Sequence, residues 1–184
     1  VEQILGSDFA LWNSSFFAKP ANNGHATPWH QDGQYWPIRP LATCTVWLAI
    51  DDANVENGCL RFIKGSHKEK KLKSHNINDN KNLTLNQELD ESEYNEKDAV
   101  NLTLKRGQIS LHDVYLVHGS EANNSSMARR AVTMRFMPTS SVFDHQMVKD
   151  KNLFSKLNAS KYQDRKIYHM RGRDISGKNN LTYT

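Results

Sequence analysis

Apolar and polar residues alternate in short runs along this chain, and each run is closed by a turn signal. At 43–50 (TCTVWLAI), Val46, Leu48 and Ile50 fall on one face and Thr45, Trp47 and Ala49 on the other. That is the period-two pattern of a strand. The polar run DDANVENG follows, with Asn57-Gly58 as its turn, and CLRFI at 59–63 resumes the strand pattern. Residues 105–107 make the next turn, 108–118 (QISLHDVYLVH) reads as strand, bend, strand, and 131–137 (AVTMRFM) alternates until Pro138. Short strands separated by turns predict a mainly β sandwich or barrel rather than βαβ units.

Two stretches depart from this rhythm. Residues 67–100 are rich in Lys and Asn at first and then acidic, with Glu88, Asp90, Glu91, Glu93, Glu96 and Asp98. They read as a charged, solvated insertion, with a lid over an active site as the functional alternative. Beyond residue 142 the chain is polar and less regular, with weak helical character at 148–158.

Composition narrows the function classes. A chain of 184 residues suits one domain spanning 1–184 with a real core, and 38% hydrophobic residues fit a globular protein. The net charge of +4 and pI near 9.0 are only mildly basic, and no Lys/Arg run is interleaved with aromatics, so nucleic-acid binding is not expected. The longest apolar runs, such as VWLAI at 46–50, are too short to span a bilayer, so no membrane role is expected. Cys44 and Cys59 sit in apolar strand-like runs and read as reduced, buried thiols. A cytoplasmic location is the default expectation. The Asn-x-Ser/Thr sequons at Asn82, Asn101 and Asn180 follow from an Asn-rich composition.

Candidate chemistry begins at WHQDGQYW, residues 29–36, where His30 and Asp32 stand two apart. On a strand such residues project from one face, so an imidazole and a carboxylate converge. A second imidazole would complete a two-His, one-carboxylate face with open positions, which suits Fe(II), a chelating co-substrate and O2. A closed four-ligand site would instead suit structural zinc. His118 ends a β-like run before a Gly-Ser turn, and Arg129 follows eleven residues later at the start of the next strand. In an antiparallel pair Arg129 would come level with His118, where its forked guanidinium suits the far carboxylate of a diacid. Arg130 is the alternative, since only one of two adjacent strand residues faces inward. His112 is the rival third ligand. His25, His67, His75, His145 and His169 read as exposed or supporting histidines. Arg39, Lys64, Arg135, Arg171 and Arg173 are candidate positive charges for an anionic substrate.

These pieces are AKP at 18–20, PWHQDGQYWPIRP at 28–40, TVWLAIDDANVENGCLRFIKGSHK at 45–68 and GQISLHDVYLVHGSEANNSSMARRAVTMRF at 107–136. In order and spacing they resemble the phytanoyl-CoA dioxygenase family of Fe(II)/2-oxoglutarate oxygenases over most of residues 18–137. The resemblance implies a double-stranded β-helix (a jelly-roll or cupin-like barrel) with peripheral helices. It implies Fe(II) held by His30, Asp32 and His118, with Arg129 clamping the 2-oxoglutarate carboxylate. Trp36 matches an aromatic position near the co-substrate, with ordinary packing as its alternative, and Lys19 matches a lysine that contacts 2-oxoglutarate. The implied activity is hydroxylation of a small-molecule metabolite with O2, giving succinate and CO2. Asp32 favours hydroxylation, because a halogenating relative needs a small residue there. Lys64-Gly65-Ser66-His67 replaces the family's Pro-Gly-Ser-His, which relaxes a turn. Family members also carry an N-terminal section ahead of the AKP segment, and this chain is expected to lack it. The competing expectations are another metal-dependent enzyme on the same barrel, or a truncated, non-catalytic metal-binding jelly roll.

Overall fold

A computed structural model describes residues 1–147, 162 and 164–183, and the helical character expected at 148–158 lies outside the described residues. After one helical turn at Glu2–Leu5 the strands are β1 (Phe9–Lys19), β2 (Thr27–His30), β3 (Ile38–Arg39), β4 (Cys44–Ala49), β5 (Leu60–Ile63), β6 (His75–Ile77) and β7 (Gln87–Leu89). They continue as β8 (Ala99–Leu102), β9 (Ile109–Asp113), β10 (His118–Ser120), β11 (Arg129–Pro138), β12 (Val142–Phe143), β13 (Ile167–Arg171) and β14 (Leu181–Thr182). One sheet has the order β14-β13-β1-β11-β4-β9 and a second β2-β10-β5-β8, while β12-β3 and β6-β7 form two-stranded pairs. From β8 to β11 the chain alternates between the two larger sheets, which is the winding of a double-stranded β-helix. The mainly β expectation holds, and the jelly roll with it.

The described residues fall into two compact units, one of Val1–Ser14, Tyr35–Thr45 and Met134–Thr184, the other of Ser15–Gln34 and Val46–Thr133. In the first, Trp12 lies edge-on to Trp36 and against Phe143, and Ile38, Met137 and Ile167 are buried. The second packs Trp47, Ala49, Cys59, Leu60 and Ala131 into one cluster and Ile63, Leu89 and Val117 into another. Burying such side chains stabilises by about 1.5–3 kcal/mol each. Both cysteines are free and buried, as their apolar surroundings predict.

One strand carries its polarity inverted, and another does so at its C-terminal end. In β9, Ser110 and His112 point inward while Ile109 and Leu111 are exposed. In β1, Lys19 is buried while Phe16 is 80% exposed, which is why no sequence pattern announces this strand. His118 also departs from expectation: it opens β10 instead of ending a run, and Gly119-Ser120 continue the strand. A Cβ on Gly119 would sit 3.0 Å from the Thr27 carbonyl oxygen, so glycine permits close pairing where a turn was expected.

Candidate metal centre

Strand pairing brings the two imidazoles together. β10 lies between β2 and β5, and His118 stands directly opposite both His30 and Phe62. The β2 register slips between the His118–His30 and Ser120–Thr27 pairs, leaving an extra residue at 28–29. Pro28 has no N–H to contribute there, so the bulge suits it. The ring centroids of His30 and His118 are 4.2 Å apart. Each ring is oriented by its own chain: His30 Nδ1 lies 2.8 Å from the Pro28 carbonyl oxygen and His118 Nδ1 2.9 Å from that of Leu116. With Nδ1–H donated to those carbonyls, Nε2 of each ring is left as a lone-pair donor.

Asp32 arrives by a different route from the one expected. β2 stops at His30 and Asp32 starts a 3-10 turn, Asp32–Tyr35, so the turn and not a strand pleat brings the carboxylate round. Its Oδ1 lies 3.6 Å from His30 Nε2. One donor atom from each of His30, Asp32 and His118 falls within 4.8 Å of the other two. Burial first, and then the neighbouring His30, hold His118 well below its ordinary pKa against the opposing pull of Asp32. A buried imidazole pair beside one carboxylate is a donor set for a divalent transition metal. His112, the rival ligand, faces the same space from β9: its ring centroid is 4.9 Å from that of His118, and its Nε2 is 3.8 Å from Asp32 Oδ2.

Arg129 and Arg130 divide as adjacent strand residues must. Arg130 is exposed and grips Asp51 through Nε and a terminal nitrogen. Arg129 is 3% exposed and packs over the Trp47 ring at 5.3 Å. Its guanidinium donates to the Gly58 carbonyl at 3.2 and 2.8 Å and approaches Ser120 Oγ at 3.4 Å. Among the described residues no carboxylate neutralises it, and burial lowers its pKa to about 10. β11 belongs to the six-stranded sheet and β10 to the four-stranded one, so Arg129 does not reach the His118 strand by pairing. Ser120 makes the connection, two residues after His118 on the same face of β10. Lys19 is a second buried cation here, donating to the carbonyls of His25, Ser120 and Glu121. Burial first, and then Arg129, depress its pKa to about 7.

Gln31, between the two β2-side donors, is fully buried and ties the charged insertion down. Its amide nitrogen donates to the Lys71 and Tyr115 carbonyls at 3.0 and 2.6 Å, and its amide oxygen accepts from Lys73 N at 2.8 Å. Its main-chain N–H donates to His75 Nε2 at 2.9 Å. The sequence pattern gave neither Gln31 nor Ser120 a role, because a polar side chain reads as surface until its partners are known. Asn123 is similar: its buried amide donates to Lys19, Pro20 and Met127 carbonyls.

The remaining candidates have other immediate neighbours. Trp36 belongs to the first unit, with Trp12 at 4.7 Å and the Arg135 guanidinium over its ring at 5.4 Å. Of the five cations suggested for an anionic substrate only Arg135 is buried; Arg171 pairs with Glu2, and Arg39 bonds main-chain carbonyls. His145 packs on Phe143, His169 on Tyr183, and His25 is exposed.

Comparison with known proteins bears on this geometry. A sequence profile of the family described as "Phytanoyl-CoA dioxygenase (PhyH)" matches residues 1–131. A phytanoyl-CoA dioxygenase domain-containing protein 1 homolog of Dictyostelium discoideum is 34% identical over 130 residues, 70% of this chain and 46% of that protein. The chain thus spans about half the length of the curated relatives it matches. Among solved structures, the apo form of the non-heme monooxygenase ThoJ superposes with a TM-score of 0.63 at 26% identity, over 76% of this chain and 50% of that one. EvdO2 of Micromonospora carbonacea var. aurantiaca, solved with 2-oxoglutarate, gives 0.56 at 29% identity over 68% of this chain and 52% of its own. Among the described residues no helix is long and apolar enough to cross a membrane.

Proposed function

This chain belongs to the phytanoyl-CoA dioxygenase family, and from that premise we propose that it is an Fe(II)- and 2-oxoglutarate-dependent dioxygenase that hydroxylates a small molecule, releasing succinate and CO2. The observation that carries the reading is Arg129, a buried guanidinium without a carboxylate partner among the described residues, set beside the strand that bears His118. A metal trio alone serves many enzymes; a trio with a buried, unneutralised guanidinium calls for an anionic co-substrate.

The donor set fits Fe(II): His30 and His118 present Nε2 and Asp32 presents Oδ1, leaving positions for a chelating keto acid and O2. Iron with 2-oxoglutarate, when bound, supplies the oxidising power, coupling O2 reduction and decarboxylation of the keto acid to hydroxylation of a C–H bond. The chain itself orients and shields. Arg129 takes the far carboxylate of 2-oxoglutarate in a bidentate grip, with Trp47 beneath the guanidinium and Ser120 Oγ beside it. Lys19 adds positive charge behind that carboxylate. Asp32, by occupying the position a halide would need, directs the outcome to hydroxylation.

The test is anaerobic addition of Fe(II) and then 2-oxoglutarate, followed by measurement of succinate on admitting O2 without a prime substrate. Wild-type protein is expected to show the visible charge-transfer band of chelated 2-oxoglutarate and slow succinate formation. His30→Ala and Asp32→Ala should abolish both. Fe(II)-loaded protein that neither binds 2-oxoglutarate nor changes its spectrum would defeat the reading.

A further inference from the structure

One buried imidazole is unused by this reading. His112 is 6% exposed, held between Phe62 at 5.7 Å and His118 at 4.9 Å between ring centroids. It differs from the two ligand histidines in one respect. Their Nδ1 atoms are tied to main-chain carbonyls two residues back, whereas His112 Nδ1 is buried with no hydrogen-bond partner among the described residues. Nothing in the main chain sets this ring in a ligand's orientation. A buried polar atom without a partner destabilises, so an apolar residue would pack here at less cost unless the other nitrogen had a task.

That nitrogen faces Asp32. The carboxylate oxygens are divided between two rings: Oδ1 stands 3.6 Å from His30 Nε2, and Oδ2 stands 3.8 Å from His112 Nε2. We infer that His112 is a positioning residue: its Nε2–H, 3.8 Å from Asp32 Oδ2 and not yet hydrogen-bonded to it, would close on that oxygen once a metal is bound and hold the carboxylate to coordination through Oδ1 alone. The inference rests on the reading of His30, Asp32 and His118 as metal ligands. Its chemical sense lies in counting positions. Two imidazoles and one carboxylate oxygen leave three sites on an octahedral ion, two for a chelating keto acid and one for O2. A carboxylate that swung to bind through both oxygens would take one of these. The tautomer agrees: with the proton on Nε2, the orphaned Nδ1 is an acceptor lone pair and not a stranded donor.

The experiment compares wild type, His112→Phe and His112→Gln, each loaded anaerobically with Fe(II) and titrated with 2-oxoglutarate. Phe keeps a ring between Phe62 and His118 but has no donor; Gln restores an N–H near the position of Nε2. The Phe variant is expected to bind Fe(II) nearly as well as wild type. Its 2-oxoglutarate affinity should fall roughly tenfold, the scale of one charge-assisted hydrogen bond, with a shifted charge-transfer band. Gln should restore both. If the Phe variant does not fold by circular dichroism, His112→Leu carries the same expectation. Unchanged 2-oxoglutarate affinity and band in a folded donor-less variant would overturn the inference. Loss of Fe(II) binding on the scale of His30→Ala would overturn it too, by making His112 a ligand. Failure of wild type itself to bind Fe(II) and 2-oxoglutarate would strike the underlying reading, and is told apart because it appears before any variant is compared.

Discussion

A single strand position separates two arginines with opposite fates. Arg130 faces water, and its pairing with Asp51 is of the exposed kind that contributes little, about 0–1 kcal/mol. Arg129, one residue earlier, is buried beside Trp47 with the Gly58 carbonyl and Ser120 as its hydrogen-bond partners among the described residues. The prediction is correspondingly asymmetric. Arg129→Ala should weaken 2-oxoglutarate binding roughly 30-fold to 1,000-fold, on the scale of about 2–4 kcal/mol for losing one partner of a buried charged pair, while Fe(II) binding persists. Arg130→Ala should leave both within about twofold, since surface substitutions stay within roughly ±0.5 kcal/mol; isothermal titration with each variant reads the difference. The acceptor side is equally demanding. Gly58 holds φ at +75°, and a Cβ there would stand 2.5 Å from the Glu121 carbonyl oxygen. Gly58→Ala should therefore destabilise the protein by about 1–3 kcal/mol, seen as a lower urea midpoint. A midpoint equal to wild type would mean that the loop at 57–58 relaxes freely.

At the level of elements, legibility followed the match between polarity and facing. β4, β5 and β11 were visible because their apolar residues mostly point inward, and Asn57-Gly58 was visible because a left-handed glycine closes its turn. β1 was not visible because it buries a lysine and exposes Phe16, and β9 buries Ser110 and His112 while exposing Ile109 and Leu111. His112 of β9 and Lys19 of β1 lie against polar groups of the candidate site, where a strand gives up its hydrophobic pattern to carry chemistry. The H-x-D spacing was legible, but not its cause, since a 3-10 turn and a bulge at Pro28 lie below the resolution of alternation. The insertion at 67–100 shows the same limit: composition gives its charge, but not the three side-chain hydrogen bonds by which Gln31 fixes 71–73 and the Tyr115 carbonyl. Gln31→Ala removes all three and leaves part-buried main-chain groups to find other partners, at up to about 1 kcal/mol each. Amide hydrogen exchange should quicken at 71–77 more than in β4 or β11, and Fe(II) should bind more weakly because Asp32 follows directly on the loosened residue. Exchange that rises uniformly, or not at all, would show that the insertion is held by other contacts.

For the whole molecule, the buried Lys19 makes stability rise with pH, in the same direction as paired carboxylates do but in the alkaline range. Burial and the repulsion of Arg129 outweigh the opposing pull of the Glu121 carboxylate, and the Lys19 pKa falls from an ordinary 10.5 to about 7. Between those values the unfolded chain keeps the Lys19 proton and the folded chain sheds it. Stability therefore rises as pH climbs from about 7 toward 10.5, and below about 7, where both states are protonated, this contribution is flat. The slope from one such proton is at most roughly 1.4 kcal/mol per pH unit. Other lysines and tyrosines titrate in the same range, so the measurement is a difference: urea unfolding of wild type and Lys19→Met at pH 7, 8 and 9. Methionine loses the hydrogen bonds to His25, Ser120 and Glu121, which offsets its curve, but it has no proton to release. The gap between the two proteins should change steadily with pH, with wild type gaining. Saturating 2-oxoglutarate should suppress that change, because a dianion between the two cations favours the charged lysine and draws a proton in as it binds. Parallel stability curves without ligand would show that Lys19 stays charged in the fold throughout, its three carbonyl acceptors outweighing burial and Arg129 together.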